Sequence, residues 1–224
     1  MNFHWLFLSY QLNENQFAYA NGDRIHITNP NSIINGDTSN NTYLSLPTHF
    51  GTHIDYPYHF DNNGKNGNDF PPEYFISKKV QIIDKSNSNN TDYYFETKDF
   101  DGIKFISDTE ILIIKTGMGA YLYEDIYWND NPGFSPELAG YFKQKMPNLR
   151  IFGFDAISLT GRKFRDEGKV AHREFLVNNN ILVLEDMDLS HLLPKSIINE
   201  IVISPLRFEN ADGAPVTIFA KISE

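Results

Sequence analysis

Apolar residues come in short runs separated by polar, turn-forming stretches, a rhythm that predicts many strands and few helices. The opening Met1-Asn2-Phe3-His4-Trp5-Leu6-Phe7-Leu8 reads as a first buried strand, with Leu8-Ser9-Tyr10-Gln11-Leu12 at its end. Tyr43-Leu44-Ser45-Leu46-Pro47 and Val80-Gln81-Ile82-Ile83-Asp84 read as strands, the second followed by a polar turn over 85–91. Glu110-Ile111-Leu112-Ile113-Ile114-Lys115 is a continuous apolar run, which suits a strand buried on both faces; it ends at the turn Thr116-Gly117-Met118-Gly119. Ser135-Pro136-Glu137 announces a helix, with a hydroxyl N-cap, proline in the first turn and an acid near the positive end. That helix runs to about Met146, where Pro147 stops it. A strand over 149–155, a helix over 170–178 and a strand over 181–185 follow. Two late strands, over 200–204 and 215–220, flank a turn-rich stretch at 209–213. Both strand–helix–strand and hairpin-like stretches occur, so the expected class is α/β, or mixed α+β, with mixed sheets.

Composition narrows the picture. A chain of 224 residues that is 41% hydrophobic can bury a sizeable core, and no flexible linker divides it, so a single domain over 1–224 is expected. With no cysteine there are no disulfides and no thiolate ligands, and any metal must be held by nitrogen and oxygen. That absence is also compatible with a cytoplasmic protein. The formal charge of -10 argues against broad nucleic-acid binding and gives no attraction to anionic membranes. The apolar start is too short to span a bilayer and lacks a basic leader and a cleavage site. The expected partner is a small-molecule substrate.

Candidate chemistry concentrates in His49-Phe50-Gly51-Thr52-His53-Ile54-Asp55-Tyr56-Pro57-Tyr58-His59. Three of the seven histidines fall in these eleven residues. Neutral imidazole is the commonest protein ligand for zinc-like ions, and a nearby carboxylate offsets the ion's charge. Positions 49, 53, 55 and 59 share parity, so in an extended segment all four side chains face one way. Gly51 would relieve crowding where a metal or another backbone comes close, and Pro57 points to an edge strand or the start of a loop. Later in the chain, His172 lies on the candidate helix and Glu185 ends an apolar strand, where charged residues often face a functional crevice.

With these pieces in order, the chain resembles the cyclase-like metal-dependent hydrolases, whose best-known members are bacterial kynurenine formamidases. The resemblance runs from Leu8-Ser9-x-x-Leu12 through the histidine segment, Leu112-x-x-Lys115-Thr116-Gly117 and the Ser135-Pro136-Glu137 helix start. It continues through Gly153-Phe154-Asp155-Ala156-Ile157-Ser158, His172-Arg173 and Glu185 to Ala211-Asp212-Gly213-Ala214-Pro215-Val216. It implies a swivelling β/β/α fold and a homodimer or homotetramer. It implies that His49, His53 and Asp55 bind a first divalent metal, and that Asp55 bridges to a second held by His172 and Glu185. His59 would be the catalytic acid/base. Zinc, one or two ions per chain, is the implied metal, with manganese used by relatives such as isatin hydrolases.

This donor set suits hydrolysis of a small amide, such as an aryl formamide, an N-formylkynurenine-like compound or a cyclic amide. An imidazole at position 59 can both take and give a proton near neutrality. Tyr56, Tyr58, Phe60 and Met118 are candidates for an aromatic substrate pocket. The family usually has a small residue between the Asp and the Pro, so Tyr56 would reshape the pocket beside the metal. Two alternatives remain: a lactone or cyclic-ester hydrolase with the same site, and a non-catalytic metal-dependent binding protein.

Overall fold

The computed structural model describes residues 3–86 and 93–223, so most of the polar turn expected over 85–91 lies outside the described residues. The strands are β1 (Phe3–Phe7), β2 (His26–Asn31), β3 (Asn41–Ser45), β4 (His53–Asp55), β5 (Ile76–Ser77), β6 (Val80–Asp84), β7 (Tyr94–Phe95) and β8 (Ile111–Lys115). After α1 (Asp125–Asn129) come β9 (Gly133–Phe134), α2 (Glu137–Lys145), β10 (Ile151–Phe154), α3 (Arg165–His172), β11 (Leu182–Glu185), β12 (Ile197–Pro205) and β13 (Gly213–Ser223). The fold is mixed α/β, as expected. A nine-stranded sheet runs in the order β5-β12-β13-β4-β11-β10-β8-β6, with β1 added to β13.

The sheet has two characters. β6, β8, β10 and β11 are mutually parallel and joined by helical crossovers. The run Ile111-Leu112-Ile113-Ile114 sits between two parallel neighbours and is wholly buried, as its unbroken apolarity predicts. Phe134, Phe142, Phe152 and Phe175 pack on this half in edge and stacked pairs. The other half is antiparallel, built from β13, β12, β5 and β1. β4 joins the halves, antiparallel to both β11 and β13.

Several expectations change. β1 is a strand but not a buried one: it pairs only with β13, and Phe3, Trp5 and Phe7 are exposed. The strand at 41–45 belongs to a solvent-facing β2–β3 hairpin outside the main sheet. The histidine segment is extended only over His53–Asp55, and β4 is a central strand. Pro57 does not interrupt it, because Pro57 opens a short 3-10 turn just beyond the strand. Gly51 has φ +63°, a left-handed conformation that favours glycine, and a Cβ there would also displace the Leu12 side-chain methyl 2.3 Å away. The Ser135 hydroxyl donates to the Glu137 carboxylate instead of capping the backbone of α2. The helix bearing His172 starts at Arg165, and the stretch 173–178 after it is π-helical. Wide turns of that kind occur often beside functional sites. Among the described residues no helix is long and apolar enough to cross a membrane.

Candidate metal centre

Strand register assembles the core of the site. His53 stands opposite Glu185 in the β4–β11 pair, and directly opposed residues share a face. Asp55, two residues on from His53, faces the same way. His172, the last residue of α3, is brought over these three from the far side. His53, Asp55, His172 and Glu185 are all buried.

Backbone carbonyls fix the two buried rings. His53 Nδ1 lies 2.7 Å from the Gly51 carbonyl and His172 Nδ1 lies 2.8 Å from the Gly168 carbonyl. A carbonyl only accepts, so each Nδ1 carries the proton and each Nε2 turns inward. His53 Nε2 is 3.5 Å from Asp55 Oδ1 and 3.4 Å from Glu185 Oε2. His172 Nε2 is 3.4 Å from Glu185 Oε1 and 3.7 Å from Asp55 Oδ2. These gaps exceed the 2.7–3.2 Å of ordinary N–H···O bonds. They resemble the ~3.3 Å edges of a tetrahedron whose metal–ligand bonds are ~2.0–2.1 Å. Inward lone pairs facing two carboxylates also require positive charge between them. Nitrogen and carboxylate donors at this spacing therefore fit a divalent cation, and the paired Asp55 and Glu185 charges match it.

Nearer the mouth, His49 Nδ1 is 2.8 Å from Asp55 Oδ1 and its Nε2 is 3.0 Å from Asp212 Oδ2. His59 stacks on His49 with centroids 4.0 Å apart, and its Nδ1 is 3.4 Å from Asp212 Oδ2. Two compact donor groups result, His53 with Asp55 and Glu185, and His49 with Asp55 and His59; Asp55 belongs to both. The resemblance groups His53 with His49 and Asp55; the two rings meet edge to face with centroids 5.2 Å apart, and the β4–β11 register also places His53 beside Glu185.

Charges in the cluster are strongly coupled. Burial opposes a charge on His49, yet Asp55 and the hydrogen bonds to Asp212 and Asp55 push its pKa up to about 10. Burial likewise opposes charge on His53 and His172, and contact with Glu185 and the Asp55 charge raise both. Asp55 is held well below the usual carboxylate range, burial being outweighed by His49 and His53. The His49 hydrogen bond does the same for Asp212 despite partial burial. His59 moves the other way: burial lowers it, and Asp55 only partly compensates, so it is neutral near pH 7.

The cage floors a cavity of about 280 Å³, at the small end for ligand sites. Phe17, Tyr19, Phe50, Phe60, Arg165 and Lys169 are among its walls. Phe60 stacks on His172 at 4.8 Å. The other proposed pocket residues lie elsewhere. Tyr56 turns away from Asp55, as neighbouring strand residues must, and stacks on Phe70 in a separate cavity. Its bulk therefore does not stand beside the cage. Tyr58 is exposed outside the cage cavity. Met118 borders a third, larger cavity of about 560 Å³ beside Asp155. Asp155 there accepts from Thr116 and Gly117 backbone amides and from the Thr116 hydroxyl, which makes it a turn anchor.

Asp212 carries no assigned role in the sequence reading, although its Asp-Gly turn lies within the matched segments. Its signal is the glycine: a Cβ at Gly213 would meet His49 Cε1 at 2.4 Å, so the ring lies flat on that backbone. Asp186 also went unread; it is buried, has φ +56°, and accepts the Tyr127 hydroxyl.

Comparison with known proteins gives a consistent frame. Residues 7–160 match the profile of the family described as "Putative cyclase". The kynurenine formamidase of Geobacillus thermodenitrificans (strain NG80-2) is 33% identical over 177 residues, covering 77% of this chain and 76% of that protein. That of Bacillus thuringiensis subsp. konkukian (strain 97-27) is 30% identical over 181 residues, covering 80% and 78%. Among solved structures, isatin hydrolase A from Labrenzia aggregata superposes with a TM-score of 0.81 at 19% identity, over 99% of this chain and 94% of that one. A potential metal-dependent hydrolase with cyclase activity superposes with a TM-score of 0.77 at 18% identity, over the full length of both.

Proposed function

The chain belongs to the cyclase family, and on that premise we propose that it is a metal-dependent hydrolase cleaving the C–N bond of a small amide, an aryl formamide or cyclic amide. The observation that carries this reading is the inward-facing cage of His53, Asp55, His172 and Glu185, with spacings suited to a cation. A kynurenine formamidase at 33% identity supports the reaction class, and the two isatin and metal-dependent hydrolase structures support the fold that holds it.

We assign the divalent ion as zinc, one or two per chain, with manganese as the other ion the donors suit. When bound, such an ion supplies a hydroxide-like nucleophile near neutral pH and polarises the amide carbonyl. His53, His172, Asp55 and Glu185 would hold it, and Asp55 is placed to serve both donor groups. His49 is pinned between Asp55 and Asp212, with each ring nitrogen facing a carboxylate oxygen. His59 handles protons. Neutral near pH 7, it can take one proton as the nucleophile forms and return it to the departing nitrogen, which cannot leave as an anion. Asp212 faces His59 Nδ1 and steadies the imidazolium that forms in between. Phe17, Phe50 and Phe60 line the cavity with flat apolar surface that suits an aryl group and keeps bulk water from the reacting atoms.

Self-association into a homodimer or homotetramer belongs to the same proposal. Its support is the apolar surface on β1 and the β2–β3 hairpin, where Trp5, Ile34 and Tyr43 are exposed, Ile34 to 96%. Hydrolysis of formanilide and of a cyclic amide by the zinc- and manganese-loaded protein tests the activity. Turnover that a chelator abolishes and added metal restores is expected. Absence of turnover with either ion and either amide class would overturn it.

A further inference from the structure

His59 owes its position to the backbone more than to its own ring. It ends the 3-10 turn Pro57–His59, just beyond the strand that carries His53 and Asp55. The facing carboxylate oxygen of Asp212 lies 3.4 Å from Nδ1, outside ordinary hydrogen-bond length. The other neighbours of the ring are aromatic: His49 at 4.0 Å and Phe60 at 4.6 Å between centroids. The imidazole therefore goes where the turn goes.

Most ties of that turn run to one side. The Tyr56 carbonyl accepts from the His59 amide, and the Pro57 carbonyl accepts from the Phe60 and Asp61 amides, at 2.9 to 3.1 Å. The Tyr58 amide donates to the Lys65 carbonyl at 3.0 Å. Gly64 lies so close to this turn that a Cβ there would meet the Pro57 carbonyl carbon at 2.6 Å. At the two feet of the loop, the Tyr56 and Gly67 amides donate to the Asp212 and Ala211 carbonyls, both at 3.0 Å. The crest, at Phe60, faces the helix instead.

There Arg173 Nη1 donates to the Phe60 carbonyl at 2.6 Å. Among the described residues this is the one hydrogen bond joining residues 57–67 to the helical segment 165–178. It is short and charge-assisted. Arg173 directly follows His172, so one residue step, roughly 100° around the helix, turns the imidazole into the cage and the guanidinium out along the surface. His172 is buried and Arg173 is exposed. The Phe60 ring stacks on His172 at 4.8 Å with 19° between planes. Ring and carbonyl of one loop residue thus rest on two consecutive residues of the same helix end.

We propose that Arg173 is a positioning residue for the reaction. By holding the Phe60 carbonyl it fixes the turn on which His59 stands, and so sets how far that imidazole lies from His172, 6.5 Å between ring centroids. This rests on the amide-hydrolase reading with His59 as the acid/base. Proton transfer needs atoms within hydrogen-bond reach, and a misplacement of about 1 Å can cost roughly a hundredfold in rate. His172 itself is held by the Gly168 carbonyl, so the cage keeps its shape whether or not Arg173 grips the loop.

The test uses the metal-loaded protein and formanilide. Arg173→Met keeps a long side chain and removes its donors, whereas Arg173→Lys keeps a donor, and a single carbonyl does not need the guanidinium fork. In the methionine variant kcat is expected to fall about ten- to a hundredfold, with KM changed less than about threefold and metal per chain unchanged. The lysine variant should recover most of that loss. In a His59→Ala background the same methionine substitution should cost less than about twofold, because nothing is left to position. A merely stabilising contact would affect both backgrounds alike. Hydrogen exchange reads the latch without turnover: the Phe60 and Asp61 amides should exchange faster in the methionine variant, while those of β4 do not change. An unchanged kcat in Arg173→Met would overturn the proposal. So would a lysine variant as slow as the methionine one, an equal loss with and without His59, or unaltered exchange in the loop. If the methionine variant does not fold, Arg173→Ala takes its place in every comparison. If the wild type turns over no amide, that failure falls on the hydrolase reading, and loop exchange together with the place of His59 in a crystal structure of the variant still decides whether Arg173 holds the turn.

Discussion

Glu185→Gln isolates the charge of the cage from its shape. The Glu185 side chain is buried, with Oε1 accepting from the Leu159 backbone amide at 2.6 Å and Oε2 lying 3.4 Å from His53 Nε2. Glutamine is nearly isosteric. Its carbonyl oxygen can keep the Leu159 bond, which turns its amide toward His53 Nε2, a lone pair when Nδ1–H donates to Gly51. The fold should therefore survive, with the Leu159 amide still paired. One of the two buried negative charges is lost, leaving Asp55 alone to balance a divalent ion. Two unit charges ~4 Å apart at an effective dielectric of ~20 interact by about 4 kcal/mol, a lower bound for a carboxylate on a divalent ion. Breaking a buried charged set by removing one member costs a similar amount, about 3–5 kcal/mol. Metal affinity should fall about 10²- to 10³-fold. Competition with a chromophoric chelator measures this directly, and elemental analysis after desalting should show less metal per chain. Melting provides a cross-check. At a fixed free-metal concentration well above both dissociation constants, three decades in affinity removes about 4 kcal/mol of ligand-induced stabilisation. For a chain of this size that makes the metal-induced rise in Tm smaller by roughly 8–16 °C. Unchanged affinity together with an unchanged metal-induced rise would refute the assignment of Glu185 as a ligand.

His59→Ala should keep its metal while hydrolysis falls by about 10²–10⁴-fold; loss of metal on elemental analysis would instead make His59 a ligand. Gly213→Ala should displace the His49 ring, because the added Cβ would sit 2.4 Å from Cε1. Turnover and metal occupancy are expected to fall together in that variant, and a crystal structure showing His49 unmoved would contradict the close-approach argument. Far from the site, the Glu110 carboxylate sits against Arg150 at 2.6 Å and Ser77 at 2.8 Å. Burial raises its pKa, but Ser77 and Arg150 outweigh it and the net shift is downward. A depressed carboxylate stabilises the fold above its unfolded pKa and loses that contribution as pH falls through the folded value. Both partners are partly exposed, so Glu110→Gln should cost about 1 kcal/mol at pH 7, or ~2–4 °C in Tm. Melting curves should converge as the pH drops below the normal carboxylate range; a gap independent of pH would show that the charge contributes nothing.

Residue chemistry and short-range pattern are written locally, and the sequence alone carried them. The buried parallel run at 111–114 was legible because a strand covered on both faces must be apolar at every position. Local residue types also singled out His49, His53, Asp55 and His59, and a glycine at 51. Their arrangement was not legible, because it depends on pairing between distant segments. The parity rule assumed one extended strand, yet only His53–Asp55 is extended, and the turn at Gly51 and the 3-10 turn at Pro57 bring the outer histidines round. The β4–β11 register, invisible in either strand alone, decides that His53 meets Glu185. Asp212 comes to His49 across 163 positions because β13 pairs with β4 on its other side. The same strand alternation sends Tyr56 away from the cage, which adjacency in sequence could not reveal.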